Sequence, residues 1–207
     1  MSVSTFDPRF AHLQGRFDAI VVGTSAGGVL ALKEILPTLS ATLAVPVIVV
    51  LHLPADKKSL LADMFSATCV VRVLEVEDHE PLGAGIYFAP PGYHVVVDSR
   101  HALTLTLDEP VLFSRPSIDV LFESAALVFG SRLIAVLMTG ASSDGAAGLE
   151  AVRALGGCVV VQSPVTASSG AMPAAALARL VPDYLLDLRD IAVLIDVAGA
   201  PALGVSP

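Results

Sequence analysis

Five apolar runs rich in β-branched residues, at 18–23, 45–51, 70–76, 133–139 and 158–162, constrain this chain more than anything else in it. They are mostly apolar on both faces rather than alternating, the pattern of strands buried between two layers of helices. Helical patterns lie between them at 27–36 (ended by Pro37), 57–65, 118–129 and 146–155. Such alternation predicts a doubly wound α/β fold, a mostly parallel sheet with right-handed crossovers and helices on both faces. The middle differs: short strands at 85–89, 93–97 and 102–107, joined by Pro90-Pro91-Gly92 and Asp98-Ser99-Arg100, predict an antiparallel meander on the sheet edge.

A chain of 207 residues suits one such domain, expected over 17–198 with an N-terminal tail at 1–16 and a C-terminal tail at 199–207. Its 54% hydrophobic and 15% charged content excludes a disordered chain. The longest apolar stretch, near 45–55, is broken by Pro46, His52 and Pro54, so no membrane insertion is expected. No basic region followed by an apolar one opens the chain, and the expected location is the cytoplasm. The net charge is −8 with lysines and arginines scattered, which argues against nucleic acid as a partner. Cys69 and Cys158 stand alone in Val-rich runs and read as core residues. No histidine pair has zinc-ligand spacing, and neither a metal nor any other cofactor is expected.

The most informative segment is Val21-Val22-Gly23-Thr24-Ser25-Ala26-Gly27-Gly28, a strand breaking into a small-residue turn before a helix. As a dinucleotide fingerprint it fails at Ser25, which stands where the second glycine must be. As a GxxxxGK[ST] phosphate loop it fails at Val29 and Leu30. The remaining readings make Ser25 either a helix cap or a nucleophile at the carboxyl edge of the sheet, close to free N–H groups of the helix start.

A nucleophilic serine needs a base, and the next strand runs into His52. Consecutive strands tend to be neighbours, which would bring His52 beside Ser25. A third strand ends in Thr139-Gly140-Ala141-Ser142-Ser143-Asp144-Gly145, where Asp144 reads as a helix cap or as the carboxylate that orients His52. Together the three predict ester hydrolysis through an acyl-enzyme, with backbone N–H groups near Ala26 or Ala141 holding the oxyanion. The order Ser, His, Asp is not that of the α/β-hydrolases, although 23–27 satisfies GxSxG by letter. Arg115 reads as a residue that positions substrate or holds a nearby loop, or as a surface arginine paired with a carboxylate.

Six segments in order resemble the CheB-type chemotaxis protein-glutamate methylesterases: the GTSAGG loop, Val50-Leu51-His52-Leu53-Pro54, the run from Tyr87 to His94, Arg115-Pro116-Ser117-Ile118-Asp119, Thr139-Gly140 with Asp144-Gly145, and Gln162-Ser163-Pro164 followed by Ala171-Met172-Pro173. The resemblance implies hydrolysis of glutamate γ-methyl esters on the cytoplasmic helices of methyl-accepting chemoreceptors, with release of methanol and, in many members, deamidation of receptor glutamines. It implies Ser25 as nucleophile, His52 as base and Asp144 as the orienting acid. A separate response regulator or signalling protein is a further expected partner, because the family's N-terminal receiver domain has no counterpart in these residues. The chain also departs from the family at Ala26, where many members have threonine, and at Ala141 and Ser142, where methionine and glycine are common. Those departures leave open a non-catalytic module that keeps the fold and binds receptors or signalling partners; a nucleotide binder using the glycine turn is the other rival.

Overall fold

The computed structural model describes residues 7–54 and 57–202. In chain order its elements are β1 (Ala19–Thr24), α1 (Gly28–Ile35), β2 (Pro46–Leu51), α2 (Leu61–Ser66), β3 (Val73–Glu75), β4 (Glu80–Pro81), β5 (Gly85–Phe88), β6 (His94–Ser99), β7 (Ala102–Thr106), α3 (Ile118–Phe129), β8 (Leu133–Leu137), α4 (Ala146–Ala154), β9 (Cys158–Gln162), α5 (Ala171–Leu177), β10 (Tyr184–Leu186) and α6 (Leu188–Gly199). Seven strands form one sheet in the order β10-β9-β8-β1-β2-β5-β3, and every pairing in it is parallel. The doubly wound α/β expectation is met.

Successive residues of a strand point to opposite faces, and both faces here are apolar. Ile20 and Val22 of β1 enter one core with Leu32 and Ile35 of α1 and Leu194 and Ile195 of α6. Ala19 and Val21 enter the other with Leu121 and Phe122 of α3, Leu149 of α4 and Met172 of α5. Strand order reverses beside β1, since β2 follows on one side and β8 on the other. Loops leaving β1 and β8 therefore diverge and open a crevice at the carboxyl edge.

The short antiparallel element expected in the middle of the chain is present, but its first strand is corrected. Gly85–Phe88 pairs in parallel with both β2 and β3 inside the main sheet. Ile86 and Phe88 fill one core and Tyr87 the other, a two-faced burial that an edge hairpin would not need. The antiparallel pairs are β6 with β7 and β7 with β4, in a separate three-stranded sheet, and Val95, Val97 and Leu103 of that sheet share the core with α3.

Part of the expected N-terminal tail is also packed. Phe10 and Leu13 are buried, Phe10 meets Tyr184 edge to face at 5.7 Å, and Arg9 pairs with Asp190 of α6 at 2.7 Å. The cysteines are half-buried free thiols rather than full core residues, and only Cys158 lies in a strand.

Two glycines set how closely α3 approaches the strand ends. A Cβ at Gly23 would run into Ile118 Cγ2, and one at Gly145, whose φ is +94°, would lie 2.7 Å from the same atom. Ile118 thus sits at the start of α3 directly against the ends of β1 and α4, which carries the N-terminus of α3 into the crevice.

Candidate active site

Register brings the first two candidate residues together. Thr24 pairs with Leu51, so Ser25 and His52 are the first residues beyond two paired strand ends, and His52 N–H donates to Thr24 O at 3.3 Å. Neighbouring parallel strands lie about 4.8 Å apart. Ser25 is not a helix cap: Gly27, with φ +82°, holds the cap position of α1. Ser25 Oγ has no hydrogen-bond partner among the described residues, and no bond joins it to His52.

Asp144 is not the cap of the helix that follows it either, because Gly145 holds that position in α4. Its carboxylate caps a different helix. Oδ1 accepts from Ser117 Oγ and Asp119 N, both at 2.9 Å, and Oδ2 accepts from Ile118 N at 2.7 Å, all at the start of α3. The fourth donor is His52 Nε2, 2.7 Å from Oδ2. Complete burial works to raise the Asp144 pKa; the bonds from His52, Asp119, Ile118 and Ser117 outweigh it and hold the group below the usual carboxylate value. The positive end of α3 adds to that preference for an anion. Because an ionised carboxylate only accepts, His52 Nε2 carries the proton and Nδ1 is left as the basic nitrogen.

Asp119 returns the arrangement. Its Oδ1 accepts from Gly145 N at 2.9 Å and Gly148 N at 2.6 Å, so each of the two buried aspartates caps the helix at whose start the other stands. Burial, with the charges of Asp144 and Glu123 adding to it and the N–H groups of Gly148 and Gly145 opposing it, pushes the Asp119 pKa up to about 6. A folded pKa above the unfolded value means that the folded state binds the extra proton. The stabilisation is complete below about pH 4 and is lost as pH rises through about 6. Asp119→Asn keeps an oxygen for both N–H groups and removes the titration. The variant is expected to lose less stability between pH 4 and 6 and to exceed the parent at pH 7 by on the order of 2 kcal/mol. Urea unfolding at several pH values checks this, and equal slopes for the two proteins would contradict it.

Both expected oxyanion donors are free. The N–H groups of Ala26 and Gly27, and those of Ala141, Ser142 and Ser143, meet no acceptor among the described residues. Thr139 ties the two loops together: its Oγ1 donates to Ala26 O at 2.8 Å and accepts from Ser169 N at 2.9 Å, while its carbonyl receives Ser25 N at 2.9 Å and Thr24 Oγ1 at 2.8 Å. Buried Gln162 accepts from Thr139 N at 2.9 Å. Sequence reasoning did not assign Thr139 or Gln162 a role, although both stand in the segments that carried the resemblance.

A cleft of about 380 Å³ opens beside His52, walled by Leu53, Pro54, Phe113, Ser114 and Arg115. Ser114 Oγ, also absent from the sequence reading, lies 3.5 Å from His52 Nδ1. Arg115 pairs with no carboxylate among the described residues. Its Nη1 donates to the carbonyls of Leu107 and Asp108 at 3.0 and 3.1 Å, which holds the 107–116 loop against the site. Buried His94 braces the same loop, accepting from Ser117 N at 3.1 Å on Nδ1 and donating from Nε2 to Glu109 O at 3.2 Å. The loop turns at Leu112 and Phe113, with φ +47° and +64°. Left-handed backbone at non-glycine residues costs about 1 kcal/mol or more each.

The family model for the CheB methylesterase matches residues 20–195, which takes in every strand end described above. The chain belongs to the CheB methylesterase family. A Leptospira interrogans protein, provisionally assigned as a protein-glutamate methylesterase/protein-glutamine glutaminase, is 42% identical over 86% of this chain and 93% of its own length. A protein of the same activities from Halalkalibacterium halodurans is 39% identical over 84% of this chain, but the match spans only 51% of that protein. The crystal structure of the Thermotoga maritima CheB methylesterase catalytic domain superposes with a TM-score of 0.83 at 29% identity, covering 87% of this chain and 97% of that one. As a member of the CheB methylesterase family the chain is an ester hydrolase, and the module that keeps only the fold is not supported.

Proposed function

We propose that Ser25, His52 and Asp144 hydrolyse glutamate γ-methyl esters on the helices of methyl-accepting chemoreceptors. His52 Nδ1 takes the proton from Ser25 Oγ as the serine attacks the ester carbonyl. The N–H groups of Ala26 and Ala141 hold the resulting oxyanion. Collapse returns the proton to methoxide, methanol leaves, and water then cleaves the acyl-serine by the same steps in reverse order. Deamidation of receptor glutamines passes through the same acyl-enzyme with ammonia as the leaving group. Asp144 stays ionised throughout and holds the His52 proton on Nε2. Arg115 positions the substrate indirectly, by holding the loop that walls the cleft. A separate response regulator or signalling protein is the expected regulatory partner. No helix among the described residues is long and apolar enough to cross a membrane, in keeping with action on the soluble parts of receptors.

The observation that carries this reading is the buried carboxylate with four donors, one of them His52, set beside a serine that borders two loops of unpaired N–H groups. The missing Ser25 to His52 bond accords with catalytic hydrogen bonds that tighten only when substrate is bound. Ser114 gives a second reading, since its hydroxyl is the one within 3.5 Å of Nδ1. The helix start that follows it, that of α3, has its Ile118 and Asp119 N–H groups taken by Asp144, however, and so offers an oxyanion neither of those donors. Two measurements decide: methanol release from a methylated receptor, and mass-spectrometric location of a fluorophosphonate label. Label on Ser25 with methanol release is the expected result. Label on Ser114 would reassign the nucleophile, and absence of both signals would remove the mechanism.

A further inference from the structure

Phe113 has no duty in the fold. Its ring is fully exposed at the mouth of the cleft, and the neighbouring Leu112 is half exposed. Both sit in a two-residue turn closed by reciprocal bonds between Val111 and Ser114, N–H to O at 3.1 and 2.8 Å. A turn with positive φ at both central residues favours Asn-Gly, and a phenylalanine there is strained. Strain in the backbone beneath a side chain that contributes nothing to the core points to a role in a complex. The loop is also held rather than loose, by Arg115 on the carbonyls of Leu107 and Asp108 and by His94 on that of Glu109. A ring fixed in advance loses little freedom on binding, and aromatic residues are enriched at the centres of interfaces.

The surroundings indicate what the ring meets. Phe113 lines the cleft together with Leu53 and Pro54. Those two residues continue into an apolar groove of about 530 Å³ lined also by Val29, Leu60 and Met64. Lys57 and Lys58 border that groove, two of only three lysines in a chain of net charge −8. Apolar surface running from the His52 cleft into a groove with a basic margin matches an amphipathic helix whose polar face is acidic.

We infer that Phe113 is the docking residue for the substrate helix, seating its ring on the apolar face while a neighbouring methylated glutamate reaches Ser25 and His52. This rests on the methylesterase reading. Phe113→Asn removes the ring and places a residue that tolerates left-handed backbone, so the unfolding midpoint is expected to stay or rise. The Michaelis constant for methylated receptor is expected to increase about 10- to 100-fold, the loss of one buried aromatic contact, with kcat within about twofold. The rate at which a small fluorophosphonate labels Ser25 is expected to be unchanged, and Phe113→Leu to recover most of the affinity. An unchanged Michaelis constant in Phe113→Asn would overturn the inference. So would a joint fall in kcat and labelling rate, which would make the turn a support of the site. Should the parent release no methanol, the methylesterase reading fails. Binding of a fluorescent receptor-helix peptide to parent and variant then still decides whether Phe113 docks it.

Discussion

A Ser25→Ala chain is expected to release methanol from methylated receptor about 10⁵- to 10⁶-fold more slowly than the parent, with its unfolding midpoint unmoved. The rate falls because the acyl-enzyme route is closed, while the unpaired N–H groups of Ala26 and Ala141 remain to supply residual stabilisation. Stability is untouched because Ser25 Oγ bonds nothing among the described residues and the cap of α1 is Gly27. Methanol assays paired with thermal unfolding read both quantities. Release within tenfold of the parent would exclude Ser25 as nucleophile.

Asp144→Asn is expected to lower turnover by about 10⁴-fold and, unlike Ser25→Ala, to destabilise the protein, by about 2–4 kcal/mol. Four donors converge on the carboxylate: Ser117 Oγ, Ile118 N, Asp119 N and His52 Nε2. An asparagine has one acceptor oxygen, so its NH₂ must face two of them, and either half of the set is left unpaired. With the NH₂ toward His52, the ring proton moves to Nδ1, the nitrogen that has to accept from Ser25. The start of α3 also loses the anion that offsets its positive end. Denaturant unfolding beside the methanol assay separates this variant from Ser25→Ala. A loss of activity without a loss of stability would mean that Asp144 does not anchor α3.

The convergence of the three candidate residues was readable because they follow separate strands, and apolar runs locate strand ends well. The parallel register then does the rest, placing Ser25 and His52 one residue beyond the Thr24 and Leu51 pair. What pattern cannot carry is the direction of side chains across elements distant in sequence. Asp144 and Asp119 each resemble an ordinary cap in their own segments; that they cap each other's helices depends on how α3 and α4 pack. The ring orientation of His52 follows from the same packing. Gly85–Phe88 was misplaced because Pro90-Pro91-Gly92 suggested a hairpin, whereas burial of Ile86, Tyr87 and Phe88 in two cores placed it in the parallel sheet. Helix α6 was overlooked despite a readable start. Asp187 accepts from Asp190 N at 2.9 Å, and Ile191, Leu194, Ile195 and Ala198 recur at helical spacing behind it. The Leu112-Phe113 turn carries none of the usual turn residues, so nothing in its sequence announced it.

The mutual capping of α3 and α4 divides the molecule's labour. The proposed triad hangs on a frame of strand ends and helix starts, whereas the Phe113 turn hangs on the backbone carbonyls gripped by Arg115 and His94. Substitutions at the Leu112-Phe113 turn can therefore accumulate without disturbing the Asp144 to His52 pair. A chain built this way can change its clientele over evolutionary time while its chemistry stands still.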